Sequence, residues 1–162
     1  MIYELSGDIL LSSAKVIVQG VAPNDDFQHG LALQLRERMP LFYKEFRHHC
    51  QTKHPKPGGL WSWTSPDGHR ILSLFTRDAA YDPGSKPGPA TLSHINHALH
   101  ALRATIEKDG ITRIALPRLA CGVTGLAWSD VKPLIEHHLA DLHLSVYLYS
   151  TYQKGVKASE PS

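Results

Sequence analysis

The stretch Ile111-Thr112-Arg113-Ile114-Ala115-Leu116-Pro117-Arg118-Leu119-Ala120-Cys121-Gly122-Val123-Thr124-Gly125 decides the fold. Ile111 to Leu116 reads as a short buried strand, and a helix is expected to start near Ser129. A strand that leaves through a glycine-bearing turn into a helix is the building unit of α/β sheets. In such sheets ligands lie beyond the carboxyl ends of the strands, where loops converge. That puts the turn itself at the place where chemistry is expected.

Working outward, the pattern repeats. Upstream of the stretch, Leu92, Ile95, Leu99, Leu102 and Ile106 recur at spacings of three and four, an amphipathic helix that Gly110 ends. Downstream, the helix runs to about Ala140 and Leu142 to Ser150 forms a last strand. At the other end, 1–5 and 15–18 read as strands. Helical spacing from Gly30 stops at Pro40, and a short helix covers Leu41 to His49. Leu60–Thr64 and His69–Thr76 form a hairpin across Ser65-Pro66-Asp67-Gly68. The alternation predicts an α/β fold, a mixed sheet with helices on both faces, over residues 1–152. Residues 153–162 are polar and are expected to be a flexible tail.

Composition excludes several function classes. The chain has 162 residues, 42% of them hydrophobic and 20% charged, as in a soluble globular domain. No run approaches the roughly 20 apolar residues that span a bilayer, so no membrane partner is expected. The start, MIYELSGDILLSSAKVIV, lacks the features of a signal peptide, which predicts a cytoplasmic location. Two cysteines, Cys50 and Cys121, suit a reducing compartment. A net charge of +2 gives no strong nucleic-acid patch, and a monomer is expected. His48, His49, Cys50 and His54 miss the usual paired-ligand spacings, so no metal is assigned.

Two loops have the composition of anion cradles. One ends in Gln28-His29-Gly30-Leu31-Ala32, with glycine opening a helix; the other is Ala120-Cys121-Gly122-Val123-Thr124-Gly125. Glycine lets backbone approach a phosphate, and helix N-termini favour negative charge. Neither is a Walker loop or a dinucleotide fingerprint. Two such loops at equivalent ends of one sheet suit a diphosphate.

Gly7-Asp8-Ile9, Gly30-Leu31-Ala32, Leu116 to Gly122 and Val146-Tyr147-Leu148-Tyr149 stand in an order that resembles the macrodomain family, over about residues 1–152. Within it the resemblance is to terminal ADP-ribose protein glycohydrolases and DarG antitoxins. It implies a three-layer α/β/α domain that binds ADP-ribose or an ADP-ribosylated protein or nucleic acid. ADP-ribose would be ligand or product, with no cofactor. By the same resemblance Asp8 accepts a hydrogen bond from the adenine amino group, Ile9 adds backbone contacts, and Tyr149, or in its stead Tyr152, packs on adenine. Ala22, Gly30 and Leu31 come from the first loop. Ala120, Cys121, Gly122, Val123, Thr124 and Gly125 would hold the diphosphate and distal ribose. Alternatively, Asp8 caps a turn.

The reacting half departs from the family. The glycohydrolase branch uses a lysine after the threonine-bearing strand and an aspartate in the second loop; this chain has Arg77 and Thr124 there, with Ala22 where many macrodomains carry asparagine. Arginine stays protonated and is a poor amine nucleophile. Three routes remain open. Arg77 positions the scissile group while Asp25, Asp26 or His29 activates water; Lys86, in the loop Tyr81 to Pro89, replaces the amine; or the domain binds ADP-ribose without cleaving. Cys121 has no activating base in its own segment. The leading expectation is a hydrolase removing ADP-ribose. Its rivals are a non-catalytic reader and a phosphatase of ADP-ribose phosphates.

Overall fold

A computed structural model describes residues 1–79, 81–121 and 125–162. The elements in chain order are β1 (Ile2–Gly7), a 3-10 turn (Ile9–Leu11), β2 (Val16–Val21), α1 (Gly30–Arg38), α2 (Pro40–Lys53), β3 (Leu60–Thr64), β4 (Arg70–Phe75), α3 (Leu92–Asp109), β5 (Arg113–Pro117), α4 (Trp128–Leu139) and β6 (Ser145–Tyr152). The six strands form one sheet in the order β1-β6-β5-β2-β4-β3. Neighbours from β1 to β4 run parallel, and the β3–β4 hairpin supplies the antiparallel edge. The sheet is therefore mixed, as the alternation of elements predicts.

Each face carries its own core. Leu99, Leu102, Ile106, Val131 and Ile135 of α3 and α4 pack against Leu72, Leu74, Leu116 and Leu148 of the sheet. On the other face, Phe42, Phe46 and Cys50 of α2 meet Val21, Ile71, Trp63 and Phe75. Helix ends follow their local chemistry. Thr91 Oγ1 accepts from the His94 amide at 3.0 Å, and Gly110 closes α3 at φ +64°. Pro40 opens α2 at a position where its missing N–H costs nothing.

One buried residue comes from a loop. Phe27 sits at φ +52° with no exposed surface, its ring centroid 4.6 Å from that of Phe46 and 5.6 Å from that of Phe42. It anchors the segment between β2 and α1 to the α2 core. The side chain of Asp25 shapes the same turn, its carboxylate accepting from the amides of Ala22 and Phe27 at 3.1 and 2.9 Å.

Residues 153–162, the expected flexible tail, are hydrogen-bonded to the body of the fold. The Gln153 amide donates to Gly7 O and the Gly155 amide to Asp8 Oδ2, each at 3.0 Å, while the Asp8 amide donates to Val156 O at 2.7 Å. Glu160 accepts from the Ser12 and Tyr149 hydroxyls, each at 2.5 Å, and from the Ser13 amide and hydroxyl at 2.8 and 2.7 Å. Burial by itself would raise the Glu160 carboxyl, but these donors hold it below the usual carboxylate range. The Tyr147 hydroxyl donates to Pro161 O. A polar segment can be ordered in this way when the body offers it fixed donors and acceptors.

Candidate ligand-binding cleft

The parallel strands deliver their carboxyl ends to one edge of the domain, and a cleft opens there. Its inner part is a cavity of about 300 Å³ lined by Asp25, His29, Gly30, Thr76, Arg77 and Cys121 among others. A neighbouring cavity of about 410 Å³ is lined by Ile9, Gln34, Tyr149 and Tyr152. Both share Gly30, Leu31, Pro117, Arg118 and Cys121, so the two are halves of one trough. It runs from an apolar, tyrosine-walled end, across the two glycine-bearing loops, to an end carrying Asp25 and Arg77.

The middle of the trough is shaped by backbone. Gly30 opens α1 at φ +60° with open space where a side chain would project. Ala120 takes φ +58°, a left-handed conformation that non-glycine residues seldom adopt, and its carbonyl accepts from the Leu126 amide at 2.8 Å. Gly125 lines the inner cavity. Gly122, Val123 and Thr124, assigned to the diphosphate from the sequence, lie outside the described residues.

At the tyrosine end, Ile9 and Tyr149 line the cavity as assigned positions. Tyr152 joins them, half-exposed, its hydroxyl accepting from Gln34 Nε2 at 3.2 Å. Burial first, and then its bond to Glu160, push the Tyr149 phenol well above its ordinary pKa. Asp8 is 3% exposed and outside the lining of the trough. Its Oδ1 caps the 3-10 turn through the Leu10 amide at 3.0 Å, and its Oδ2 holds the tail. The turn-capping alternative thus describes its local role.

At the other end the five catalytic candidates, Arg77, Asp25, Asp26, His29 and Lys86, separate. Arg77 lines the cavity, yet its Nε and Nη2 donate to Gly88 O and Pro87 O at 2.8 and 3.3 Å, fastening the 81–90 loop. Asp25 spends both carboxylate oxygens on its own turn. Lys86 does not reach this cavity; it lines a separate polar pocket of about 570 Å³ with Asp26, Arg47, His54 and Tyr81. His29 lines the cavity, is exposed, and makes no side-chain capping bond to α1. Ala22 is fully buried and outside the lining.

Cys121 lines both halves, but burial raises its thiol pKa against a smaller lowering by Arg118. That disfavours the thiolate a nucleophile needs. The histidine-rich end of α2 disperses: His49 stacks on Trp61 at 5.3 Å and His54 on Tyr81 at 4.5 Å, while Cys50 is buried.

Sequence reasoning passed over Gln19, Thr76 and Arg118. Gln19 and Thr76 are buried, and Gln19 Oε1 and Thr76 Oγ1 have no hydrogen-bond partner among the described residues. No local signal marks either one, because strand alternation treats them as ordinary core positions. Arg118 was legible: it directly follows β5, at the strand end where ligand contacts concentrate.

The sheet, its two helical layers and the trough at the strand ends are those of the macrodomain fold. The DarG macrodomain of Mycobacterium tuberculosis superposes with a TM-score of 0.81 at 24% identity, covering 100% of this chain and 99% of that one. No family model matches the sequence. A DNA ADP-ribosyl transferase-DNA ADP-ribosyl glycohydrolase fusion protein of Thermosipho africanus is 26% identical over 94% of this chain and 42% of its own length. The human ADP-ribose glycohydrolase OARD1 is 31% identical over 50% of this chain and 51% of its own. The aligned region thus spans about half the length of these relatives or less. The chain has the macrodomain fold, and DarG-type proteins are among its relatives.

Proposed function

We propose that this chain binds ADP-ribose along the trough and hydrolyses its bond to a modified macromolecule. The observation that carries the reading is the continuity of the trough: an aromatic-walled end, a glycine-lined middle and a polar end follow one another through five shared residues. That sequence of environments suits a purine, a diphosphate and a sugar in that order. Ile9 and Tyr149 would face the adenine, Gly30 and Leu31 with Ala120, Cys121 and Gly125 the diphosphate, and His29 and Arg77 the distal ribose. Relatives whose names describe ADP-ribosyl glycohydrolases support the same chemistry.

The reaction is a direct displacement by water. The water oxygen bonds to the anomeric carbon, the bond from that carbon to the acceptor breaks with its electron pair going to the acceptor, and His29 takes the water proton, which is then returned through solvent to the released acceptor. Among the described residues the His29 side chain makes no hydrogen bond, whereas Arg77 and Asp25 are engaged with backbone and Asp26 and Lys86 line the other pocket. The same engagement favours a second reading, a reader that holds ADP-ribose without cleaving it. Incubation with an ADP-ribosylated protein and, separately, with ADP-ribosylated DNA distinguishes them. Release of ADP-ribose from either supports the hydrolase; binding without release from both leaves the reader.

A further inference from the structure

We propose that residues 153–162 occupy the adenine-contacting groups of the trough as an intramolecular competitor, and that nucleotide binding displaces them. This rests on the ADP-ribose reading above and adds a regulation to that site.

The tail claims Asp8 and the hydroxyl of Tyr149, the two side chains that the family resemblance assigns to adenine, while the Tyr149 ring still lines the cavity. Gly155 presents its N–H to Asp8 Oδ2, and the next residue, Val156, presents its carbonyl to the Asp8 amide. An adenine edge offers the same pair in the same polarity, an amino donor beside a ring-nitrogen acceptor. A peptide can therefore satisfy the donors and acceptors around Asp8 in a nucleotide's place. Further along, Glu160 takes the Tyr149 hydroxyl, the aromatic residue walling the adenine end.

The backbones approach too closely for anything else to share the space. A Cβ added at Gly7 would meet Val156 O at 2.8 Å and Ala158 Cβ at 3.0 Å. While the tail is docked, Asp8 has no surface to offer: it is 3% exposed and outside the lining of the cavity.

The fastening is of a releasable kind. Residues 153–157 are exposed, and Val156, the largest apolar side chain of the tail, keeps 47% of its surface in solvent. What holds the segment is a set of hydrogen bonds that water can replace, with little apolar surface lost on release. Such a segment opens at low cost, so its docked population can be shifted by a ligand of modest affinity.

The experiment uses the full chain. Gly155→Pro removes the N–H and forbids the φ of +73° seen there, and Glu160→Ala removes the acceptor of the Ser12, Ser13 and Tyr149 bonds. With melting temperatures confirming folded protein, each variant is expected to bind ADP-ribose about 5- to 20-fold more tightly than the unaltered chain by calorimetry. In the unaltered chain, ADP-ribose should speed tryptic cleavage after Lys154 and Lys157, and ribose 5-phosphate, which lacks adenine, should not. Unchanged or weaker binding in both variants, protection from cleavage by ADP-ribose, or equal acceleration by ribose 5-phosphate overturns the proposal and makes the tail a fixed wall. Absence of ADP-ribose binding in the unaltered chain and both variants would instead remove the ADP-ribose reading itself.

Discussion

Asp8 and Gly155, 147 positions apart in the chain, are joined by a 3.0 Å hydrogen bond from the Gly155 amide to Asp8 Oδ2. The other oxygen accepts from Leu10 N at 3.0 Å, so one nearly buried carboxylate fixes both the start of the 3-10 turn and the end of the chain. Asp8→Ala would leave two amides without their acceptor. Its unfolding free energy in urea is expected to fall by about 1.5–3 kcal/mol, the usual worth of hydrogen bonds to a carboxylate. Asp8→Asn, which keeps one carbonyl acceptor, should lose clearly less. Equal losses in the two variants would show that charge, rather than the acceptor geometry, holds the turn.

Cys50 gives a prediction at alkaline pH. Burial pushes its thiol from 9.0 up to about 11. Below the lower value the thiol is neutral in folded and unfolded chains alike, and the group makes no pH-dependent contribution. Between the two values the unfolded chain ionises first, so folding loses stability as pH rises. Denaturation between pH 9 and about 11 should therefore show a shallower fall in Cys50→Ala than in the unaltered chain. Parallel profiles would mean that the thiol ionises equally well in both states.

The acid limb is expected to depend on His138. Its ring is mostly buried, and burial first, then His137, His100 and Arg103, lower its pKa from 6.5. Its Nε2 lies 2.8 Å from Asn96 Oδ1. A folded-state pKa below the unfolded value means that the unfolded chain takes up the proton first. Stability is then complete above about pH 6.5 and is lost as pH falls through that value towards the folded-state pKa. A thermal-melting series from pH 7.5 to 5 should show a smaller decline in His138→Gln. His49, also lowered by burial and by Lys53, keeps part of the effect in that variant.

What the sequence discloses and what it hides divide along physical lines. Elements built on repetition were legible: Ile95, Leu99, Leu102 and Ile106 of the three-and-four spacing are buried, with Leu92 exposed at the helix start, and Trp61 and Trp63, two apart on β3, share a face against Phe42. Contacts built on a single long-range partner were not. Phe27 stands in a run of turn formers and shows itself as core only once α2 brings Phe42 and Phe46 to it. The tail is polar and without period, and what orders it is Glu160 meeting Ser12, Ser13 and Tyr149 from the far end of the chain. Lys86 illustrates the same limit at the site, since its sequence distance from Arg77 says nothing about which side of the loop it faces.

Arg77 and His29 separate binding geometry from chemistry. Arg77 reaches two loop carbonyls, and the loop sits tightly beside it: a Cβ at Gly88 would stand 2.7 Å from Asp78 Cβ. Asp78 is itself 2.9 Å from His94 Nε2, tying the loop to the start of α3. Arg77→Ala should therefore loosen residues 81–90, read as about tenfold or greater acceleration of amide exchange at Gly88, whose N–H donates to Asp78 O at 3.3 Å. On the proposed hydrolase reading, loss of ADP-ribose release in that variant is expected to be moderate, since the guanidinium is engaged by the Gly88 and Pro87 carbonyls. His29→Ala should lower release by about 100-fold or more, the scale on which a general base contributes, while ADP-ribose affinity changes by less than about tenfold. A larger loss from Arg77→Ala than from His29→Ala would put the guanidinium on the reacting atoms and remove the histidine from the role of base.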